Sequence, residues 1–483
     1  MYIGVDLGTS SLKLILIDNM GKVVKEVSKV YKVFTPKPLW SEQNPEDWFE
    51  AFEECLKELT LNHNNIKGIS FSGQMHGLVI LDNEDNVIRP CILWNDQRTF
   101  QEIEEIENKL GESTIFRETS NKMFTGCTAV KVLWVKNNEK ENFAKIKKVM
   151  NPKDYLIYKL TGEYVTDVSD CSGTLYYNVR EKKYSHSILN YLGLSEKMMP
   201  KVLETQERVG PLKHELKEKY KLTGECILVV GGADNAVSAI STYTLNENTW
   251  SLSLGTSGVL LTPTKKIRVE DPSIHTFCSA NNGYYHMGVT LGAASSLALI
   301  KELIASNISY EKMFEKLDVN LKTSISFLPY ISGERAPILD PFAEGTLIGL
   351  KPTTTKEDIL KGVLEGITFS FKQIITIFAK SGLKLTELTI IGGGARNEKW
   401  IQIIADILEC NIKTIKNNYG AAYGAALIAM AGTNNDFKLE DLSRNNITYD
   451  KVFSPNLNNK KYYEIKFKNY NKLYHSLKHY WHN

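Results

Sequence analysis

Residues 1–18 read MYIGVDLGTSSLKLILID, and residues 249–261 read TWSLSLGTSGVLL. In each, apolar β-forming residues are broken by the same small-residue turn, Leu7-Gly8-Thr9-Ser10 in one and Leu254-Gly255-Thr256-Ser257 in the other. Each stretch predicts a β-hairpin. Four matching residues are a weak repeat, but the likeness continues downstream. IKGISFSG runs into Gln74-Met75-His76-Gly77, as LTII runs into Gly392-Gly393-Gly394-Ala395-Arg396-Asn397. ILVV runs into Gly231-Gly232-Ala233-Asp234-Asn235 and a small-residue helix AVSAI. NIKTI likewise runs into NNYGAAYGAALIAM. Hairpin, strand-turn and strand-turn-helix recur in the same order, which predicts a duplicated α/β domain. The boundary is expected near 240–250, around Thr244-Leu245-Asn246-Glu247-Asn248. Residues 78–225 lengthen the first copy and include the turn-rich TGEYVTDVSDCSGTLYY, read as a substrate-facing elaboration.

The rest of the chain sets bounds. It has 483 residues, 42% hydrophobic and 24% charged, and a net charge of +2. That is ordinary globular composition and too long for one compact domain. So even a charge balance gives no electrostatic case for nucleic acid or membrane. Asp6 and Lys13 interrupt the first apolar run, which therefore does not read as a signal peptide. The seven cysteines are scattered and contain no Cys-x-x-Cys, which fits a reduced cytoplasm. His275 and Cys278 are two ligands at most, short of a zinc site. Helices are expected at Pro45–Leu59, with Asn44 as cap, and at about 128–138. The tail from 459 reads as a packing helix with Ile465, Tyr470, Leu473, Leu477 and Tyr480 on one face.

Several residues could carry chemistry. Gly-Thr-Ser turns after strands expose N–H groups and hydroxyls suited to phosphate oxygens, and two of them could serve one nucleotide. The glycines at 392–394 let a flat ring approach the backbone. No P-loop motif and no protein-kinase His-Arg-Asp or Asp-Phe-Gly motif is present. Asp6 beside a phosphate turn suits Mg²⁺, although a carboxylate there can also simply cap the turn. Asp234 is either a helix N-cap or a general base at the carboxyl end of a strand. His76, flanked by turn residues at another strand end, is either structural or a hydrogen-bonding group for a polyol.

These residues in this order resemble the FGGY carbohydrate kinases over nearly the whole chain. The likeness runs through Gly4–Ser10, Leu39–Pro45, Gly73–Gly77 and Leu93–Arg98. It continues in Gly126-x-Thr128-x-x-Lys131-Val132-x-Trp134, Pro152–Tyr155, Gly232–Asn235, Ser253–Gly258, Leu328–Arg335 and Gly392–Arg396. Gln-Met-His-Gly together with Trp-Asn-Asp-x-Arg is similar to the members acting on xylulose rather than glycerol. The resemblance implies an α/β fold of two actin-like (ribonuclease H-like) domains flanking a cleft. Residues 1–245 would carry sugar and base, and residues 246–483 would carry the nucleotide. It implies phosphoryl transfer from ATP to D-xylulose with Asp234 as general base. Met75, His76, Asp234 and Asn235 would hold the sugar. Thr9, Gly255, Thr256, Gly393, Gly394, Ala395 and Asn397 would hold ATP. Asp6 would stand by Mg²⁺, directly or through water. Small-molecule substrates are then the expected partners, with neither nucleic acid nor membrane, and a homodimer stays open. The chain departs from the family pattern at Gly362, where Ala or Ser is expected. Glu344 replaces a common basic residue, and Asn417-Asn418 stands where an acidic residue is frequent.

Overall fold

The computed structural model describes residues 1–247 and 249–482; Asn248, in the expected boundary, and Asn483 lie outside the described residues. The chain forms two compact units. The first comprises residues 1–245, 276–285 and 419–447; the second comprises 246–275, 286–418 and 448–483. The units are thus discontinuous in sequence, and two later segments join the first.

The first unit is built on a six-stranded sheet in the order Arg208–Pro211, Ile227–Ala233, Gly68–Gly73, Tyr2–Leu7, Ser11–Ile17, Val23–Val30. The central three, 227–233, 68–73 and 2–7, run parallel. The hairpin 2–7/11–17 and the strands at both edges are antiparallel. The central strands are buried on both faces; 2–7 and 227–233 are largely apolar runs, while 68–73 also buries Ser70 and Ser72. The Pro45–Thr60 helix begins as expected, with Asn44 Oδ1 accepting from the Glu46 amide and Pro45 in the first turn.

The second unit repeats the plan. Its seven-stranded sheet runs His275–Cys278, Tyr284–Thr290, Gly258–Thr264, Trp250–Leu254, Glu387–Ile391, Asn411–Ile415, Tyr449–Phe453. The strands 250–254, 387–391 and 411–415 are parallel, 250–254 and 258–264 form the antiparallel hairpin, and 449–453 closes the edge antiparallel. Hairpin, second strand and third strand therefore occupy equivalent sheet positions in both copies.

The helix following the third strand of the second copy, Ala421–Thr433, belongs to the first unit. It is apolar all round and packs backbone to backbone. A Cβ on Gly4 would lie 1.9 Å from Ala422 O, and one on Gly424 would lie 2.3 Å from Val237 O. Only glycine allows contacts that close. Helix Lys356–Lys380 of the second unit is long and apolar enough to cross a membrane, but 67% of its most apolar window is buried, as in a core helix. Gly362 has a packing reason: a Cβ there would stand 2.5 Å from Ile325 Cγ2. The C-terminal helix, Lys460–Trp481, buries Tyr463, Lys466, Tyr470 and Tyr474. Ile465 and Tyr480, expected on its packing face, are instead exposed. Lys466 takes an inner position because it pairs with the buried Glu365 of the long helix.

Candidate functional site

Strand register in the first unit assembles one group of residues. Leu7 is level with Gly73, and Gly73 with Ala233, so three parallel strands end side by side. The Gly8-Thr9-Ser10 turn leaves the first end, the Gln74-Met75-His76-Gly77 loop the second, and Asp234-Asn235 the third. This is the carboxyl edge of an open α/β sheet, where ligands collect.

Asp234 is the first residue of the Asp234–Ser241 helix, whose N-cap is Ala233. Asp234 therefore does not hold the N-cap position, and Ala233 in that position offers no side-chain cap. Asp234 Oδ1 accepts from the Asn235 amide at 2.7 Å and from Asn235 Nδ2 at 2.9 Å. Its Oδ2 has no hydrogen bond among the described residues. Burial pushes the carboxyl up to about 7, against the two bonds from Asn235 and with help from the negative charge of Asp6. Asp6 is level with Ser72 on one side and Lys13 on the other. Burial also raises its carboxyl, opposed by the Ser72 hydroxyl and the Lys13 charge.

His76 has a left-handed backbone, φ 67°, uncommon outside glycine and held by its surroundings. Its Nδ1 lies 2.7 Å from Gly173 O. A carbonyl can only accept, so Nδ1 carries the proton. Phe124 packs edge-on at 5.2 Å and Phe277 lies at 6.0 Å. Met75 is buried, with Tyr285 O–H donating to Sδ at 3.9 Å.

Thr9 lies in this same unit. Its Oγ1 accepts from the half-exposed Trp94 at 2.9 Å, and its carbonyl accepts from Gln43 Nε2 at 2.6 Å. Trp94 is positioned by its own loop. Asp96 is fully buried, accepts from the Ser41 amide at 2.6 Å, and holds Arg98 through two bonds of 2.9 and 2.7 Å. Arg98 also lies 3.6 Å over the Trp40 ring.

The second unit assembles the other residues by the same rule. Ser253 is level with Ile391, so the Gly255-Thr256-Ser257 turn and the Gly392–Arg396 turn leave adjacent parallel strands. Gly392 has φ 92°, and its missing Cβ would meet Leu254 O at 2.6 Å. Beside these turns is a cavity of about 400 Å³, within the ordinary range for small-molecule sites. Gly393, Gly394 and Asn397 form one wall, and Ala294, Leu297, Phe314 and Tyr310 form another. Gly255 O accepts from the Ala294 amide at 3.0 Å, which ties the phosphate-type turn to this wall. Asn397 caps the next helix, its Oδ1 accepting from the Trp400 amide at 3.0 Å, while it also lines the cavity. The arrangement suits a flat apolar ring lying on glycine backbone with an anionic group towards residues 255–257.

Sequence reasoning gave no role to three features that brace these sites. Lys131, fully buried, donates to His76 O and Gly126 O, both at 2.7 Å; burial lowers its ammonium to about 8. Its place in the Gly126-x-Thr128-x-x-Lys131 motif was the available signal. Buried Lys153 pairs with Asp154 at 2.7 Å and Asp167 at 3.3 Å. Phe314 and Tyr310 wall the cavity from a helix that no motif marked.

Comparison with known proteins identifies the family and the fold. Residues 1–241 match the N-terminal domain, and 250–433 the C-terminal domain, of the FGGY family of carbohydrate kinases. The chain is 38% identical to a xylulose kinase of Staphylococcus xylosus, covering 98% of this chain and 99% of that one. It is 37% identical to a xylulose kinase of Bacillus subtilis (strain 168), covering 98% and 96%. The crystal structure of a xyloylose kinase from Brucella ovis superposes with a TM-score of 0.94 at 35% identity, covering 99% of both chains. The chain belongs to the FGGY family of carbohydrate kinases, and it is a sugar phosphotransferase of two actin-like α/β domains.

Proposed function

We propose that this kinase transfers the γ-phosphoryl group of ATP to the terminal hydroxyl of D-xylulose, giving D-xylulose 5-phosphate and ADP. The observation that carries the mechanism is Asp234. It is a partly buried carboxyl with one oxygen free of protein partners among the described residues, at the end of a strand beside two substrate-type loops. The choice of sugar rests on the full-length similarity to xylulose kinases. In the reaction the sugar oxygen bonds to the γ-phosphorus as the β–γ bridging P–O bond breaks. The hydroxyl proton passes to Asp234 Oδ2. An acceptor near neutrality, as this carboxyl is, matches that task.

Met75, His76 and Asn235 hold the sugar in this reading. The His76 ring bonds a sugar hydroxyl, and Asn235 keeps Asp234 Oδ1 engaged so that Oδ2 faces the substrate. Gly393, Gly394, Ala395 and Asn397 take the adenosine, and Thr9, Gly255 and Thr256 take phosphate oxygens. Asp6 fits Mg²⁺. Burial raises its carboxyl, its charge adds to the burial that raises Asp234, and one carboxylate plus phosphate oxygens is a usual Mg²⁺ environment. When bound, the ion would neutralise charge on the phosphates. Seven buried cysteines, none in a disulfide, support a reducing cytoplasm.

A coupled ADP-release assay over a panel of ketopentoses and polyols tests the assignment. D-Xylulose should give the highest kcat/KM. A higher value for another sugar would replace the substrate, and no release with any sugar would end the kinase mechanism.

A further inference from the structure

The strand that carries the base is irregular. Ile227–Ala233 pairs with 68–73 in register up to Val229, then slips, and pairing resumes at Gly232. Gly231 has φ 72° at the slip, where a Cβ would meet Phe71 O at 1.9 Å. Such a bulge re-aims the residues after it and breaks the ladder locally. The amide of Ala233, immediately before Asp234, donates to a side chain, Ser169 Oγ, at 3.0 Å. Ser169 is buried, and its hydroxyl donates in turn to Asp167 Oδ2, which also accepts from the Ser169 amide at 2.8 Å and Thr205 Oγ1 at 3.4 Å. Asp167 is fully buried and faces Lys153 Nζ at 3.3 Å. Lys153 also faces Asp154 at 2.7 Å and Asp170 at 3.9 Å. Buried charges of this kind persist only when paired. Space is closed too: a Cβ on Gly232 would stand 2.8 Å from Ser169 Oγ, and one on Gly73 would stand 2.6 Å from Lys153 Cβ.

We propose that Ser169 and Asp167, with Lys153 as counter-charge, are positioning residues that set the aim of Asp234 through the Ala233 amide. The inference rests on Asp234 being the general base. A surface elaboration would not bury a lysine with three carboxylates. Nor would it spend a serine hydroxyl on the one amide between a bulge and the reacting carboxylate. The bulge re-aims the strand end, and the serine holds the amide next to Asp234 in that direction.

Ser169→Ala removes the acceptor while leaving every group of the sugar site in place. Misaiming a base by a fraction of an ångström to 1 Å costs up to about 100-fold in rate. The expected result is a fall in kcat of about 10- to 100-fold with the KM for D-xylulose within threefold. Ser169→Thr, which keeps the hydroxyl, should restore kcat. If Ser169→Ala does not fold, Asp167→Asn carries the test, with about a tenfold loss of kcat at unchanged KM. Wild-type kcat in the variant that folds, or a KM rising as much as kcat falls, overturns the proposal. Asp234→Asn is assayed in parallel. If that variant turns over normally the base assignment fails; if it is inactive while Ser169→Ala is normal, the positioning role alone fails.

Discussion

Replacing Asp234 by asparagine should stabilise the protein at alkaline pH while removing its activity. The carboxyl ionises near 3.8 in an unfolded chain and near 7 in the folded one. Between these values the folded chain keeps a proton that the unfolded chain has lost, so stability falls as pH rises through the window. Above about pH 8 the accumulated cost is a little over three pKa units, or about 4 kcal/mol at about 1.4 kcal/mol per unit, as an upper bound. Relaxation and solvent entry in a ligand-free site reduce it to about 2–4 kcal/mol. Asparagine carries no such cost, and its Oδ1 can still accept from the Asn235 amide. Thermal unfolding of wild type and Asp234→Asn from pH 4 to 9, without ligands, measures the difference. At about 2 °C per kcal/mol the variant should melt about 4–8 °C higher at pH 8.5, with the gap closing towards pH 4. A constant gap across that range, or a less stable variant at pH 8.5, would refute the reasoning that the carboxylate is held ionised at a cost.

The same carboxyl predicts that kcat/KM rises with pH through about 7, because a general base must be unprotonated in the free enzyme. A flat profile between pH 5.5 and 8 would count against it. Gly173→Ala should raise the D-xylulose KM about 10-fold or more with a smaller change in kcat, since the new Cβ would stand 2.6 Å from Met75 Cε and 2.9 Å from His76 Cε1. Initial-rate kinetics with each substrate varied would detect it. Gly394→Ala should raise the ATP KM by about 10-fold and leave the sugar KM alone. Its Cβ would stand 2.9 Å from both Leu254 Cβ and Trp400 Cζ3 at the cavity wall.

The duplicated frame was legible because both copies write it in local terms. Turn chemistry at Gly8-Thr9-Ser10 and Gly255-Thr256-Ser257, β-forming runs and helix caps all act over a few residues. The same terms placed His76 and Asp234 at strand ends and Thr9 in a turn, while the strand order that brings them to one sheet edge came from the structure. What was not legible depends on partners distant in sequence. Ala421–Thr433 comes after a strand of the second unit yet packs on Gly4 and Gly68 of the first. An all-round apolar helix has no polar face to reveal which sheet it will cover. Lys153-Asp154, marked in sequence only as part of the Pro152–Tyr155 motif, is buried against Asp167 and Asp170, which lie further along the chain. The tail helix was expected with Ile465 inside, but the buried carboxylate of Glu365 draws Lys466 inward instead. The left-handed backbone at His76 has Thr128 and Lys131, more than 50 residues away in sequence, donating to its carbonyl, partners that no local signal announces.

The most direct test of the account compares turnover and sugar binding in one pair of proteins. Wild type and Asp234→Asn are assayed for ADP release with saturating Mg²⁺-ATP and D-xylulose, and their D-xylulose affinities are measured by calorimetry. A lost general base predicts a fall in kcat of about 10²- to 10⁴-fold with the dissociation constant within threefold. Turnover in the asparagine variant within a few fold of wild type would contradict the central claim that this carboxylate takes the sugar's proton.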